Sequence, residues 1–279
     1  MGIKLRFVGM IWWAAYVKGT SFAAPWISRK LAYLIHIMGL SREVAKALLI
    51  DAAAVWDRKD DVSHRIGYGI VPKRIEDILT TKSDEIRFIL TGVSEESETY
   101  TYNLPVPIID NEHPFYARAT LTYFPKCNRN QRVDYTSTEM DIHFGRVVSK
   151  KGEAKIISIN NNQQSEDKRI KLYEEEARKL YRKWDNVKHI SEDIKDRRVP
   201  RKAYDSGLWG LKIYMKERMH KTNDPIHFGV VVTLKEMNGV NRIDDFVKLC
   251  IARGWLVNRL DFENQIDVYA KAEEEIVFE

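Results

Sequence analysis

Two hydrophobic periods divide this chain. Up to about residue 80 the apolar residues recur at helical spacing, and beyond about residue 83 they alternate. Phe22, Ala23, Trp26, Ile27, Leu31, Leu34, Ile35 and Met38 cover more than one face of a helix over 22–38, expected to be almost wholly buried and stopped at Gly39. Ser41 then caps a second helix, with Glu43 in its first turn, where the positive end of the helix dipole favours a carboxylate. Val44, Ala47, Leu48 and Ala52 give that helix its apolar face. Gly67-Tyr68-Gly69 reads as a tight connection and Ile75 to Leu79 as a short further helix.

The alternating part is plainest in Phe115 to Tyr123, where odd positions are apolar or aromatic and even ones mostly polar. Met140, Ile142 and Phe144 repeat the pattern, as do Trp209, Leu211, Ile213 and Met215, and then Ile226, Phe228, Val230, Val232 and Leu234. Alternation of this kind predicts antiparallel strands with one dry and one wet face, assembled as a sandwich or jelly roll. Two interruptions are expected. Lys150 to Gln164, ending in Asn160-Asn161-Asn162-Gln163-Gln164, reads as an exposed loop, and Ser165 to Trp184 as a charged helix supported by opposite charges three or four residues apart. Asp244 to Arg253 predicts a helix ended by Gly254, and a last strand is expected around Ile266 to Tyr269. No internal repeat is visible. The fold class is α+β: helices first, then a β-rich region.

Charge changes the picture in one place. The net charge is +5, and residues 168–202 alone hold thirteen Lys and Arg against seven Asp and Glu. Arg197-Arg198-Val199-Pro200-Arg201-Lys202 could touch nucleic acid or an acidic partner, but no nucleic-acid signature accompanies it, so a solvated surface is expected. Cys127 and Cys250 lie far apart and in no metal-ligand spacing, which implies two reduced thiols and a cytoplasmic setting. Phe7 to Val17 is an apolar run of eleven residues, shorter than the roughly 20 a spanning helix needs. It reads as a buried strand or core segment rather than a signal peptide, and no membrane association is expected.

Candidate chemistry sits at the first helix. A serine hydroxyl attacks a carbonyl only when a base takes its proton and something stabilises the resulting oxyanion. Ser21 begins a helix, where free backbone N–H groups and the helix dipole are at hand. Gly19 would permit the turn that presents it, Ala23 and Ala24 would allow close packing, and Pro25 would fit the first helical turn without losing a bond.

The string Gly19-Thr20-Ser21-Phe22-Ala23-Ala24-Pro25 resembles the nucleophile motif of the subtilisin-like serine proteases, Gly-Thr-Ser-x-Ala-Ala/Ser-Pro. The second Ala- and Leu-rich helix and Gly67-Tyr68-Gly69-Ile70-Val71 resemble the closing segment of that family's catalytic domain. Lys18, where the family usually has Ser or Asn, and the bulky Trp26 depart from the pattern. The resemblance implies that Ser21 is the catalytic nucleophile of a serine endopeptidase acting on peptides or proteins. It implies a partial subtilisin-like catalytic domain over 1–82, the C-terminal helical segment of an α/β domain. An antiparallel, jelly-roll-like accessory domain with inserted helices would fill 83–279. No cofactor or metal is implied.

Triads of this family run Asp, His, Ser along the chain, yet residues 1–20 contain no Asp, His or Asn. His36, fifteen residues along the same helix, would stand about 22 Å away, far outside the ~3 Å that proton abstraction needs. His64, with Asp57, Asp60 or Asp61, is a freer candidate that reads better as a surface loop. His113, His143, His189, His220 and His227 fall in the β-rich part, where His143 and His227 occupy polar strand faces and should be exposed. The expectation is therefore a family endopeptidase that is inactive as a lone polypeptide and needs its missing N-terminal catalytic part as partner. The alternative is a non-catalytic interaction module derived from a subtilase. Nucleic-acid binding through 168–202 is the weakest reading.

Overall fold

Among the described residues eight long strands build the core, because their apolar side chains fall on one face every second residue. They are β3 (Glu85–Ser94), β4 (Thr99–Pro105), β6 (Phe115–Tyr123), β7 (Thr138–Lys150), β8 (Glu153–Ser158), β9 (Val187–Ser191), β11 (Leu208–Glu217) and β12 (Ile226–Glu236). The computed structural model describes residues 3–5, 15–17, 19–56, 67–94, 99–127, 136, 138–159, 185–205, 207–217, 225–255 and 257. All ladders are antiparallel. One sheet has the order β3-β12-β6-β9 and the other β4-β11-β7-β8. Counted one to eight along the chain, these orders are 1-8-3-6 and 2-7-4-5, the double Greek-key winding of a jelly roll. Side chains from both sheets share one core: Ala117, Leu121 and Val230 from the first meet Ile142, Phe144 and Leu211 from the second.

Shorter elements complete the molecule. β1 (Ile3–Leu5) pairs with β2 (Ala15–Val17), so part of the N-terminal apolar run is indeed strand. A two-residue ribbon joins β5 (Glu112–His113) to β10 (Arg201–Lys202). The helices are α1 (Thr20–Ala32), which widens into a π-helical turn over Tyr33–Ile37, α2 (Arg42–Ala53), α3 (Glu76–Leu79) and α4 (Ile243–Ala252). Ser41 caps α2 as expected, its Oγ accepting from the Val44 N–H at 3.2 Å. The α+β class holds, with antiparallel sheet dominating.

The outward face of the first sheet is mostly covered, and only one end of it, at Thr91, Val93 and His227, is exposed among the described residues. The cover is α2, and every residue of β6 is buried. Val44, Ala47, Leu48, Ile75 and Ile78 pack with Val231 of β12 in a second core on that side. The polar even positions of β6 are therefore not solvated: Arg118, Thr120 and Thr122 are all buried beneath the helix. Alternation is correct as a strand signal, but a polar residue at an even position reports a buried partner as readily as it reports water.

One row of side chains fixes α2 in place. Arg87, Thr233 and Arg118 stand directly opposite one another across β3, β12 and β6. All three converge on the fully buried Asp51 of α2. Arg118 Nε lies 2.8 Å from Oδ1, Arg87 Nε 3.3 Å from Oδ2, and the Thr233 hydroxyl donates to Oδ2 at 2.8 Å. Arg118 also donates to the Ala54 carbonyl at 3.0 Å and lies under the Trp56 ring. At the other end of α2, Gly229 lets backbone meet backbone: a Cβ there would sit 2.7 Å from the Val44 nitrogen. Gly229→Ala should push the helix off the sheet and cost about 1–3 kcal/mol, the usual penalty for overpacking. The shift of the urea-unfolding midpoint measures it.

One further expectation changes. Glu153–Ser158 is a strand, not loop: Lys151, at φ 56°, and Gly152 turn β7 back into β8. The exposed loop over 160–164, the charged helix over 165–184 and the last strand around 266–269 lie outside the described residues, as does His220. The helix over Asp244–Arg253 is present as α4, and Gly254 stops it with a left-handed φ of 79°.

Candidate active site

Ser21 is the second residue of α1 and is exposed. Gly19 is the N-cap, with φ 174° and ψ 151°, and its carbonyl accepts from the Ala23 N–H at 3.2 Å. The N–H groups of Thr20, Ser21 and Phe22 therefore have no acceptor within the helix. No side chain caps this end, and its first turn holds no acidic residue. The positive end of the helix is left open beside the hydroxyl. Ser21 is not itself the capping residue.

Two details of the expected mount are corrected. The Gly19 backbone is extended, a conformation any residue adopts, so glycine is not required there by its dihedrals. Pro25 is the sixth residue of α1 rather than a first-turn residue. Its missing N–H deprives the Ser21 carbonyl of its normal partner four residues on. The proline thus loosens the helix at Ser21 itself.

The burial expected of helix 22–38 is also corrected. Gly19 to Ser21 and Ala23 to Pro25 are exposed, Trp26 and Ile27 are half-buried, and Ile37 is 49% exposed. Of the residues whose burial is described, Lys30, Tyr33 and Leu34 are the buried ones, where the far half of the helix meets α2 and the segment before α3. Lys30 donates to the Lys73 carbonyl and lies over the Trp26 ring. An apolar helix buries only the face that a neighbour reaches, and α2 reaches one end of this one.

Among the described residues no hydrogen bond joins Ser21 to an imidazole or a carboxylate. His36 is exposed on the π-helical turn. His227 is exposed on β12, as expected, whereas His143 is half-buried, stacked on Tyr214 with its Nε2 3.3 Å from the phenol oxygen. His189 lies edge-on to Tyr68, and its Nδ1 is 2.7 Å from the Thr120 hydroxyl. His113 is fully buried inside the jelly roll. His64, Asp57, Asp60 and Asp61 lie outside the described residues. Among the described residues no group of three His, Cys, Asp or Glu is placed to hold a metal ion.

The whole of this site, from before the motif to the Gly-Tyr-Gly turn, falls in one segment that comparison with family models picks out. Residues 12–69 match the model of the Subtilase family. No curated protein matches the chain. The subtilase match covers the Ser21 motif, α1, the π-helical turn and α2. It ends at Gly69, whose backbone pairs with Ala54 and whose missing Cβ leaves room for the Ala53 carbonyl. None of the eight long strands falls in the subtilase match.

The basic run of the sequence sits elsewhere and is solvated only in part: Arg198 and Lys202 are exposed, but Arg197 and Arg201 turn inward. Arg197 and Arg201 keep only 12% and 19% of their side-chain surface, and both pair with Glu192. Sequence reasoning missed this because a run of four cations in six residues looks like surface. The one available signal was Glu192, five residues before Arg197, together with Pro200, which breaks any helix that could spread the charges into water. No helix among the described residues is long and apolar enough to cross a membrane.

Proposed function

We propose that this protein contributes the nucleophile of a subtilisin-like serine endopeptidase, with Ser21 forming the acyl-enzyme intermediate. The single observation that carries the reading is an exposed serine at an uncapped helix start, inside the segment that matches the subtilases. The Ser21 oxygen bonds to the scissile carbonyl carbon, a base takes its proton, and that proton passes to the amine as the C–N bond breaks. Water then releases the acyl group by the same steps. The free N–H groups at the start of α1 are placed to help stabilise the oxyanion.

The base and its orienting carboxylate are proposed to lie on polypeptide other than these 279 residues. The bare first half of α1, with Trp26 and Ile27 beyond it only half-buried, is the surface such a segment would cover. Residues 1–82 then form the partial catalytic unit and 83–279 the accessory domain, with peptides or proteins as substrate. Cys127 and Cys250 are both free thiols, which suits the cytoplasm. That no base is hydrogen-bonded to Ser21 among the described residues favours one alternative, a non-catalytic interaction module that keeps the subtilase helices as scaffold.

A fluorophosphonate probe tests both. The lone chain should not be labelled, whereas the chain co-expressed with the polypeptide encoded immediately upstream should be labelled at Ser21 and should hydrolyse casein. Ser21→Ala should remove both signals. Hydrolysis that survives Ser21→Ala sinks the assignment, and a complex without labelling or hydrolysis supports the interaction module.

A further inference from the structure

At one end of the jelly roll, beneath the β5–β10 ribbon, three arginines meet with a single carboxylate. Arg146 points inward from the end of β7, opposite Trp209 of β11. Arg201 stands opposite His113 in the ribbon. Arg197 donates to the Glu192 carboxylate at 2.9 Å and to the Phe115 carbonyl, and its other nitrogen lies 3.4 Å from the His113 carbonyl. Arg146 spends one donor on the Lys202 carbonyl and packs on the Tyr204 ring. Glu192 pairs with both Arg197 and Arg201 and also accepts from the Ala117 N–H. Three positive charges against one negative leave an excess of two in a largely buried place, which is costly unless something answers it.

The hydrogen-bonding inventory says what would answer it. Arg146 Nε, Arg201 Nε and Trp209 Nε1 are buried donors without an acceptor. His113 Nε2 is buried and also unpartnered. Its Nδ1 lies 3.2 Å from the Pro107 carbonyl, which can only accept, so Nδ1 carries the proton and Nε2 presents a lone pair. The His113 ring meets Trp209 edge-on at 5.7 Å. The same neighbourhood thus combines three idle donors and two uncompensated positive charges with two acceptor atoms that make no hydrogen bond, His113 Nε2 and the Glu192 Oε1 that only ion-pairs with Arg201.

We propose that this cluster binds one inorganic hydrogen phosphate dianion. Its charge of minus two cancels the excess, its unprotonated oxygens accept from the arginine and tryptophan donors, and its single O–H donates to His113 Nε2. Sulfate has the same shape and charge but no O–H, so it would leave the imidazole lone pair unsatisfied. A phosphate monoester dianion lacks the O–H as well. Repulsion of Arg146 and Arg197 on the imidazole works with burial to keep His113 neutral, as the acceptor role requires.

Calorimetric titration of the intact chain, exchanged into phosphate-free buffer at pH 7, tests the site with three probes: inorganic phosphate, sulfate and phosphoserine. Phosphate should bind at one site. Sulfate and phosphoserine should bind at least about a hundredfold more weakly, as expected where a buried polar group loses its partner. Arg201→Gln should weaken phosphate by about tenfold or more. Arg146→Lys, which keeps the charge but removes Nε, should do the same and serves if the first variant does not fold. His113→Leu should abolish the preference over sulfate while anion binding persists. No phosphate binding, equal affinity for sulfate, or affinity unchanged in both arginine variants would overturn the proposal.

Discussion

Replacing Asp51 by alanine is expected to lower the stability of the protein by about 3–5 kcal/mol, the cost of breaking a buried ion pair from one side. Asp51 has no exposed side-chain surface, and Arg87 and Arg118 keep only 8% and 5% of theirs. Without the carboxylate, two guanidiniums remain under α2. Arg118 would still reach the Ala54 carbonyl and Arg87 the Ile78 carbonyl, but neither offers a negative charge. Burial already pulls the Arg87 proton affinity down against the opposing pull of Asp51. The loss should appear in urea unfolding followed by circular dichroism. Replacing the whole set with Asp51→Leu, Arg87→Met and Arg118→Met should recover most of it, because apolar groups of similar volume need no partner. A midpoint left unmoved by Asp51→Ala would mean that the helix is held by its apolar face alone.

That network also explains what the sequence could and could not announce. The strands at 115–123, 140–144, 209–215 and 226–234 were legible because a strand shows its period within a few residues. The caps were legible too: Ser41 and Gly254 act through bonds to residues three or four away. The burial of Arg118 was not legible, since its partner Asp51 lies 67 positions earlier and on a helix. An even-numbered arginine in an alternating strand looks the same whether it faces water or a carboxylate. The same blindness turned Arg197 and Arg201 into an apparent surface run. Helix 22–38 fails in the other direction, since its apolar residues suit burial on several sides but α2 covers only one end. The helix start at Ser21 was legible because helix-start geometry is local. Whether a base reaches it depends on groups remote in sequence.

The two parts of the molecule are joined through this same interface. α2 belongs to the segment that matches the subtilases, while the strands it lies on do not. Its ends are fixed separately. The backbone close to Gly229 and the Thr122 hydroxyl bonded to the Glu43 carbonyl hold the start, and Asp51 holds the end. A helix fixed at both ends cannot slide, so the jelly roll sets where α1, and with it Ser21, is presented. On the proposed function, the β-rich part is therefore a platform for the nucleophile helix.

Acid should loosen the opposite region of the jelly roll, through His113. Burial is the main cause of its low proton affinity; the Pro107 carbonyl opposes that shift, and Arg146 and Arg197 add to it, leaving a pKa of about 4 against an ordinary 6.5. Between those two values the unfolded chain binds a proton here and the folded chain does not. Stability therefore falls as pH drops from about 6.5 to about 4, then levels once the folded imidazole also protonates. A displacement of this size corresponds to a loss of about 3 kcal/mol over the window. Arg201 faces the same group across the ribbon, and Glu192 is the carboxylate that answers the arginines. Stability measured against pH in phosphate-free buffer, for the wild type and for His113→Leu, isolates the effect. The difference between the curves should grow in the variant's favour as pH falls from 6.5 to 4, and parallel curves would show that His113 is not held neutral by its surroundings.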